Sequence, residues 1–208
     1  MKKWMDWQLK NQVEDCDWYN RVWSAPNLYA QLGPWFENIV HDFNNNTSTA
    51  KFFNLFTSEN HIKRQAASTK GAINENEYRS YLNEYNRLLA GMGHFYIDHF
   101  GKDHDMVVDT VTKAFKLIPG TIEIRLQIET PGQYFVMHID RLGKRFPPSK
   151  VHVTFLQDQA LGQIFMHGNK NNKWAKGDTV TLDYNVPHGS VNIGYENKFM
   201  LVVLGESQ

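Results

Sequence analysis

A single cysteine, Cys16, stands among the 208 residues, so no internal disulfide is available. Stability must come from a buried core, which a chain of this length can build. The chain also lacks a charge surplus, because 22 Lys plus Arg face 22 Asp plus Glu. Phosphate backbones are bound by a cationic excess or a basic stripe, and no basic run occurs, so nucleic acid is not an expected partner. No stretch approaches the roughly 18 consecutive apolar residues of a spanning helix, which argues against membrane insertion. The opening segment MKKWMDWQLK has no unbroken apolar core of the signal-peptide kind, and the expected location is the cytoplasm. Low-complexity segments and internal repeats are missing too. With 41% hydrophobic residues the chain reads as one ordinary globular domain over 1–208.

What is present divides near residue 118 by its hydrophobic period. Tyr78, Tyr81, Leu82, Tyr85, Leu88 and Leu89 recur at three-and-four spacing ahead of Gly91, which predicts an amphipathic helix over 74–90. A second helix is expected over 106–117, closed by Pro119-Gly120, and a third from Pro34, where Phe36, Ile39, Val40 and Phe43 recur helically. Residues 44–75 show no clean period and read as irregular. After Gly120 the pattern changes to short strands at 121–130, 134–138, 150–156, 163–167, 178–184, 190–195 and 198–204, separated by turn formers. The reading is therefore α+β, mainly β. A mainly helical part over 1–118 packs against an antiparallel jelly-roll core over 119–208.

The chemistry-bearing residues lie in the strand half. Alternation along a strand puts His138 and Asp140 on one face, about 7 Å apart. His188, in Val186-Pro187-His188-Gly189, is fifty residues further on and opens a strand that a jelly roll can return beside the first. Two imidazoles and a carboxylate form the facial triad of non-haem Fe(II) sites. The plain readings are a surface ion pair for His-x-Asp and a loop residue for a histidine after proline. Lys198 borders the apolar run 199–203, and Lys150 alternates with His152; such lysines are snorkelling edge residues or anion anchors. Other features read mainly as structure. His94, Asp98, His99, Asp103, His104 and Asp105 fit a solvated helix end and loop, His167 a satisfied strand-end histidine, and Trp4, Trp7, Trp18, Trp23 and Trp35 core aromatics. Arg141 and Arg145, beside the His-x-Asp pair, are candidates for an anionic substrate group or plain surface residues.

Taken together, Pro131-Gly132 ahead of His138-x-Asp140, then Lys150-x-His152, then WAKGDTVTLDYNVPHGSVNIGYENKFMLVVLG, resemble a known pattern. The segment from Gln127 to Val203 resembles the double-stranded β-helix (cupin or jelly-roll) core of Fe(II)- and 2-oxoglutarate-dependent oxygenases. The likeness is to the aspartyl/asparaginyl β-hydroxylase branch and its free-proline hydroxylase relatives. The resemblance implies His138, Asp140 and His188 as iron ligands, with Lys198 at the distal carboxylate of 2-oxoglutarate. Lys150, His152 and Gln127 would be further co-substrate contacts, and Lys198 is expected to be the main anchor. It also implies O2 as oxidant, succinate as co-product, and a free or peptidyl amino acid as the hydroxylated substrate. Lysine stands here where the family usually has arginine, and some members lack the carboxylate that Asp140 supplies. Two other readings accompany this one: a cupin metalloenzyme without 2-oxoglutarate, such as an isomerase, and a non-catalytic jelly-roll binding module. No residue pattern names the prime substrate or an oligomeric state.

Overall fold

Alternating burial along short strands drives the chain into two antiparallel sheets, one face of each turned to the other. The computed structural model describes residues 23–45, 93–96, 103–139, 150–183 and 186–208. In chain order the elements are β1 (Trp23–Ser24), α1 (Tyr29–Asn45), β2 (His94–Tyr96), α2 (His104–Phe115), β3 (Glu123–Glu129), β4 (Tyr134–His138) and β5 (Lys150–Phe155). They continue as β6 (Gln163–His167), β7 (Lys170–Asn171), β8 (Thr179–Asp183), β9 (His188–Asn192) and β10 (Lys198–Leu204). One sheet runs β1-β8-β5-β10-β3-β2 and the other β4-β9-β6-β7, and every pairing is antiparallel. This is the mainly-β double-stranded β-helix with helices against one sheet.

The larger sheet has two buried faces, and each has its own core. Ile124, Leu126 and Ile128 of β3 and Phe199, Leu201 and Val203 of β10 point toward the helices. There they meet Leu32, Trp35, Phe36 and Ile39, the three-and-four stripe of α1, together with Val107, Val111 and Phe115 of α2. The opposite face carries Val151, Val153, Phe155, Val180, Leu182 and Met200 against Phe165 and Trp174. Phe155 is fully buried there, stacked on Trp174 at 4.1 Å between centroids and edge-on to Phe165 at 5.5 Å.

The entry to α1 is gripped by the turn before β8. Leu28 N–H donates to Gly177 O at 2.9 Å, and Asn27 Oδ1 accepts from Tyr29 N–H at 2.9 Å, an N-terminal cap. Gly177 sits at φ 83°, and a Cβ there would lie 2.8 Å from the Tyr29 backbone nitrogen, so the close approach requires glycine. Asp178 completes the clamp, accepting from Asn27 Nδ2 at 2.9 Å and from Ala175 N–H at 2.8 Å.

Several sequence expectations are adjusted by a few residues. The helix expected from Pro34 starts at Tyr29 and carries Pro34 inside it, and it runs on through 44 and 45, which had read as irregular. The helix expected over 106–117 spans His104–Phe115 and ends at Lys116, in the left-handed region at φ 53°. The strand expected over 190–195 is His188–Asn192, because Ile193 to Asn197 form the turn into β10. The expected helix over 74–90 lies outside the described residues, as do Trp4, Trp7, Trp18, Asp98, His99, Arg141 and Arg145. No described helix is long and apolar enough to cross a membrane.

Removing the centre of the inter-sheet core tests this packing. Phe155→Ala should lower the unfolding free energy in urea by about 3–5 kcal/mol. Leu161→Ala, at a side chain 88% exposed, should stay within about 0.5 kcal/mol.

Candidate metal and ligand site

His138 and His188 meet because β4 carries one extra residue. Phe135 pairs with Ser190 and His138 pairs with His188, so three steps on β4 match two on β9. In a regular ladder Met137 would face His188; the irregularity brings His138 there instead. Gly189 makes room, since a Cβ at this position would lie 2.9 Å from Phe135 O. The two rings stand 4.5 Å apart between centroids, tilted by 54°. Both are oriented alike. His138 Nδ1 lies 2.7 Å from Val136 O and His188 Nδ1 lies 3.0 Å from Val186 O. A carbonyl only accepts, so Nδ1 carries the hydrogen in each and the neutral ring presents its lone pair at Nε2, the form that ligates metals.

Both histidines line a cleft of about 550 Å3, counting the open space at its mouth. Its walls are Val151, Val153, Leu182, Met200 and Val202 from the larger sheet and Phe135 and Phe165 from the smaller. Arg125, Gln127 and Ser190 add polar groups. Asp140 lies outside the described residues. Among the described residues no three His, Cys, Asp or Glu side chains are grouped to hold a metal ion. His167 pairs with His188 across β6 and β9, fully buried, with Nε2 3.4 Å from Asp183 O, and completes a cross-strand row of three histidines. His104 opens α2 as expected of a helix end, 2.7 Å from Asp105. His94 instead belongs to a strand and pairs with Gln127.

Lys198 is inside the barrel but fully committed. Its ammonium, with three N–H donors, donates to Glu129 Oε2 at 3.2 Å, to Ile164 O at 2.8 Å and to Ser190 Oγ. Glu129 and Lys198 are both 0% exposed. Gln127 Nε2 donates to Glu129 Oε1 at 3.0 Å and Ser190 Oγ to Oε2 at 2.9 Å, so both carboxylate oxygens are also satisfied. Burial pushes the Lys198 pKa below its ordinary value, opposed by the attraction and hydrogen bond of Glu129. The expected co-substrate anchor is thus a structural ion pair with its charge already balanced.

Lys150 and His152 are not brought to the cleft. Val151 and Val153 of β5 line it, and alternation turns Lys150 and His152 to the helix side, where His152 stacks on Phe115 at 4.1 Å and 4°. His152 Nδ1 is 2.8 Å from Thr181 Oγ1. Burial, with a smaller contribution from the Lys150 charge, lowers the His152 pKa to about 4. Gln127 does line the cleft, as expected. Arg125, two residues before it, also lines the cleft and was not singled out from the sequence. The alternation Arg125-Gln127-Glu129 opposite Ile124-Leu126-Ile128 was the signal that could have found it.

The motif residues around the site mostly serve the scaffold. Asn192 Nδ2 donates to Glu129 O at 2.8 Å and to Glu196 O at 2.7 Å, tying both sheets to the β9–β10 turn.

Comparison with known proteins finds no matching family model and no matching curated protein. Solved structures do match. A prolyl-4-hydroxylase from Pseudomonas putida is 15% identical over 55% of this chain and 71% of its own, with a TM-score of 0.39. A cupin family protein with a double-stranded β-helix fold from Methanocaldococcus jannaschii is 16% identical over 40% of this chain and 69% of its own, TM-score 0.33. A cupin 2 conserved barrel domain protein from Salinispora arenicola is 17% identical over 42% of this chain and 66% of its own, about two thirds of that chain, TM-score 0.32.

Two measurements follow from this geometry. Lys198→Met leaves Glu129 buried without its counter-charge and should cost about 3–5 kcal/mol of stability, whereas Lys198→Met/Glu129→Met should recover most of it. For His152 the folded pKa lies below the ordinary 6.5, so the unfolded chain takes up a proton that the folded chain refuses between pH 6.5 and about 4. Stability from the neutral ring is complete above that window and falls as pH drops through it, by at most about 1.4 kcal/mol per pH unit. Urea unfolding at pH 7 and pH 5 should show this loss in the native chain and a smaller one in His152→Gln.

Proposed function

We propose that this protein is an Fe(II)- and 2-oxoglutarate-dependent hydroxylase that acts on a free amino acid or an amino-acid residue of a peptide. The observation that carries the reading is the cross-strand pair His138 and His188 at the mouth of a largely apolar cleft. Both rings are fixed by Nδ1–carbonyl bonds, so Nε2 is the nitrogen that would ligate a metal. This donor set fits a divalent iron ion, and the His138-x-Asp140 motif supplies the carboxylate of the triad. When bound, iron with the 2-oxo acid and O2 supplies the oxidation: one oxygen atom goes to a substrate C–H bond and the other to succinate, with release of CO2.

The chain's own residues do the remaining work. Val136 O and Val186 O hold the two imidazoles in one tautomer and one orientation. Val151, Val153, Leu182, Met200 and Val202 exclude water from the cleft, which strengthens every polar contact made inside it. Gln127 offers an amide to a bound acid. A second reading, a cupin metalloenzyme that does not use a 2-oxo acid, is favoured by one observation: the Lys198 ammonium has its three hydrogens engaged and its charge balanced by Glu129.

Turnover separates the two. With Fe(II), 2-oxoglutarate and O2, the native chain should form succinate even without prime substrate, and His138→Ala and His188→Ala should form none while keeping a native unfolding transition. Asp140→Ala should be severe but incomplete. Undiminished succinate formation by either histidine variant contradicts the ligand assignment, and its absence in the native chain favours the second reading.

A further inference from the structure

Three donors at the inner end of the cleft converge on one acid group, and that group belongs to the chain itself. Lys198 Nζ donates to Glu129 Oε2 at 3.2 Å, Ser190 Oγ donates to the same oxygen at 2.9 Å, and Gln127 Nε2 donates to Oε1 at 3.0 Å. An ammonium, a hydroxyl and an amide around two oxygens are the donor set that the acid group of a ligand would need. Two of the three donors, Gln127 and Ser190, are also walls of the cleft. Glu129 therefore lies one hydrogen bond behind the cleft wall, although it is itself 0% exposed.

The place of this acid group relative to the histidines follows from the strands. Ser190 is two residues beyond His188 on β9, and both line the cleft, so alternation puts them on one face about 6.5 Å apart. That separation is the span of a short-chain dicarboxylic acid. One end of such a ligand would stand at His138 and His188, and the other would arrive where Glu129 already is. The Lys198 ammonium also lies over the rings of Trp174 and Phe165 at 5.4 and 5.7 Å, which favour a cation there whichever acid balances it.

We propose that Glu129 is an internal stand-in for a ligand's carboxylate. It fills an acid subsite made by Lys198, Ser190 and Gln127, and thereby limits how strongly the cleft holds the far end of a dicarboxylate. An external acid takes that subsite only in place of Glu129. The inference deepens the hydroxylase reading and rests on it only for naming the acid as 2-oxoglutarate.

Complementation of the metal-free full chain by added acids, at matched ionic strength, tests it without any turnover. Glu129→Ala removes the internal acid, leaves the Lys198 charge unbalanced and opens space for another carboxylate. Its urea midpoint should lie below that of the native chain; butyrate and 2-oxoglutarate should raise it, and neutral butyramide should not. In calorimetric titration Glu129→Ala should bind 2-oxoglutarate roughly ten- to a hundredfold tighter than the native chain does, the range of a charge-assisted contact. Glu129→Ala/Lys198→Met keeps the space and removes the cation, so it should show neither effect. The native chain should hold 2-oxoglutarate no more than about threefold tighter than 2-oxopentanoate, which carries a methyl group in place of the distal acid. A Glu129→Ala chain that folds only with an acid present supports the proposal, and one that no acid stabilises overturns it. A gain that persists in the double variant, or a native preference of about tenfold or more for 2-oxoglutarate over 2-oxopentanoate, overturns it as well. Complementation by acids without succinate formation by the iron-loaded native chain leaves this inference standing and removes the hydroxylase reading alone.

Discussion

The buried ion pair of Lys198 and Glu129 sets what the rest of the barrel interior can do. Two opposite charges on neighbouring strands β10 and β3 are taken fully out of water, which costs several kcal/mol per ion unless every polar group finds a partner. Here they do. Lys198 reaches Ile164 O and Ser190 Oγ on the smaller sheet, and Glu129 accepts from Gln127 and Ser190. The pair therefore joins the two sheets at one end, over the rings of Trp174 and Phe165 at 5.4 and 5.7 Å. A pair of this kind adds little net stability over an apolar pair of the same shape.

Among the described residues β4 is an edge strand of the smaller sheet, and its extra residue brings His138 beside His188. Tyr134 and Val136 of the same strand are 66% and 57% exposed, so this wall is thinly packed next to the histidines. Asp140, the carboxylate of the proposed triad, follows this strand in the sequence.

The strand half was legible almost residue by residue, because turn formers and alternation mark strands strongly. Which face each residue takes was legible only where one face is polar. On β5 both faces are buried, with five consecutive buried residues after Lys150, so pairing Lys150 with His152 on one face was sound but the choice of face was not available. Lys198 illustrates a different limit. Its partner Glu129 is 69 residues away, and a charge balanced by a distant strand leaves no local trace. The extra residue in β4 was equally hidden, since it depends on pairing with β9. In the motifs shared with the resembling family, Gly177-Asp178 clamps α1 and Asn192 ties the sheets, so much of that likeness reports the scaffold. His138 and His188 do reach one cleft, as their spacing suggested, and Gln127, which the family resemblance implied, lines it too.

The central claim is that the His138 and His188 pair holds an iron ion which a 2-oxo acid then chelates. Anaerobic titration of the native chain with Fe(II), followed by 2-oxoglutarate, tests it most directly by visible absorption. A metal-to-ligand charge-transfer band should appear only when both are present and saturate at one equivalent of each. Iron bound with no band on adding 2-oxoglutarate, or no iron bound at all, contradicts it.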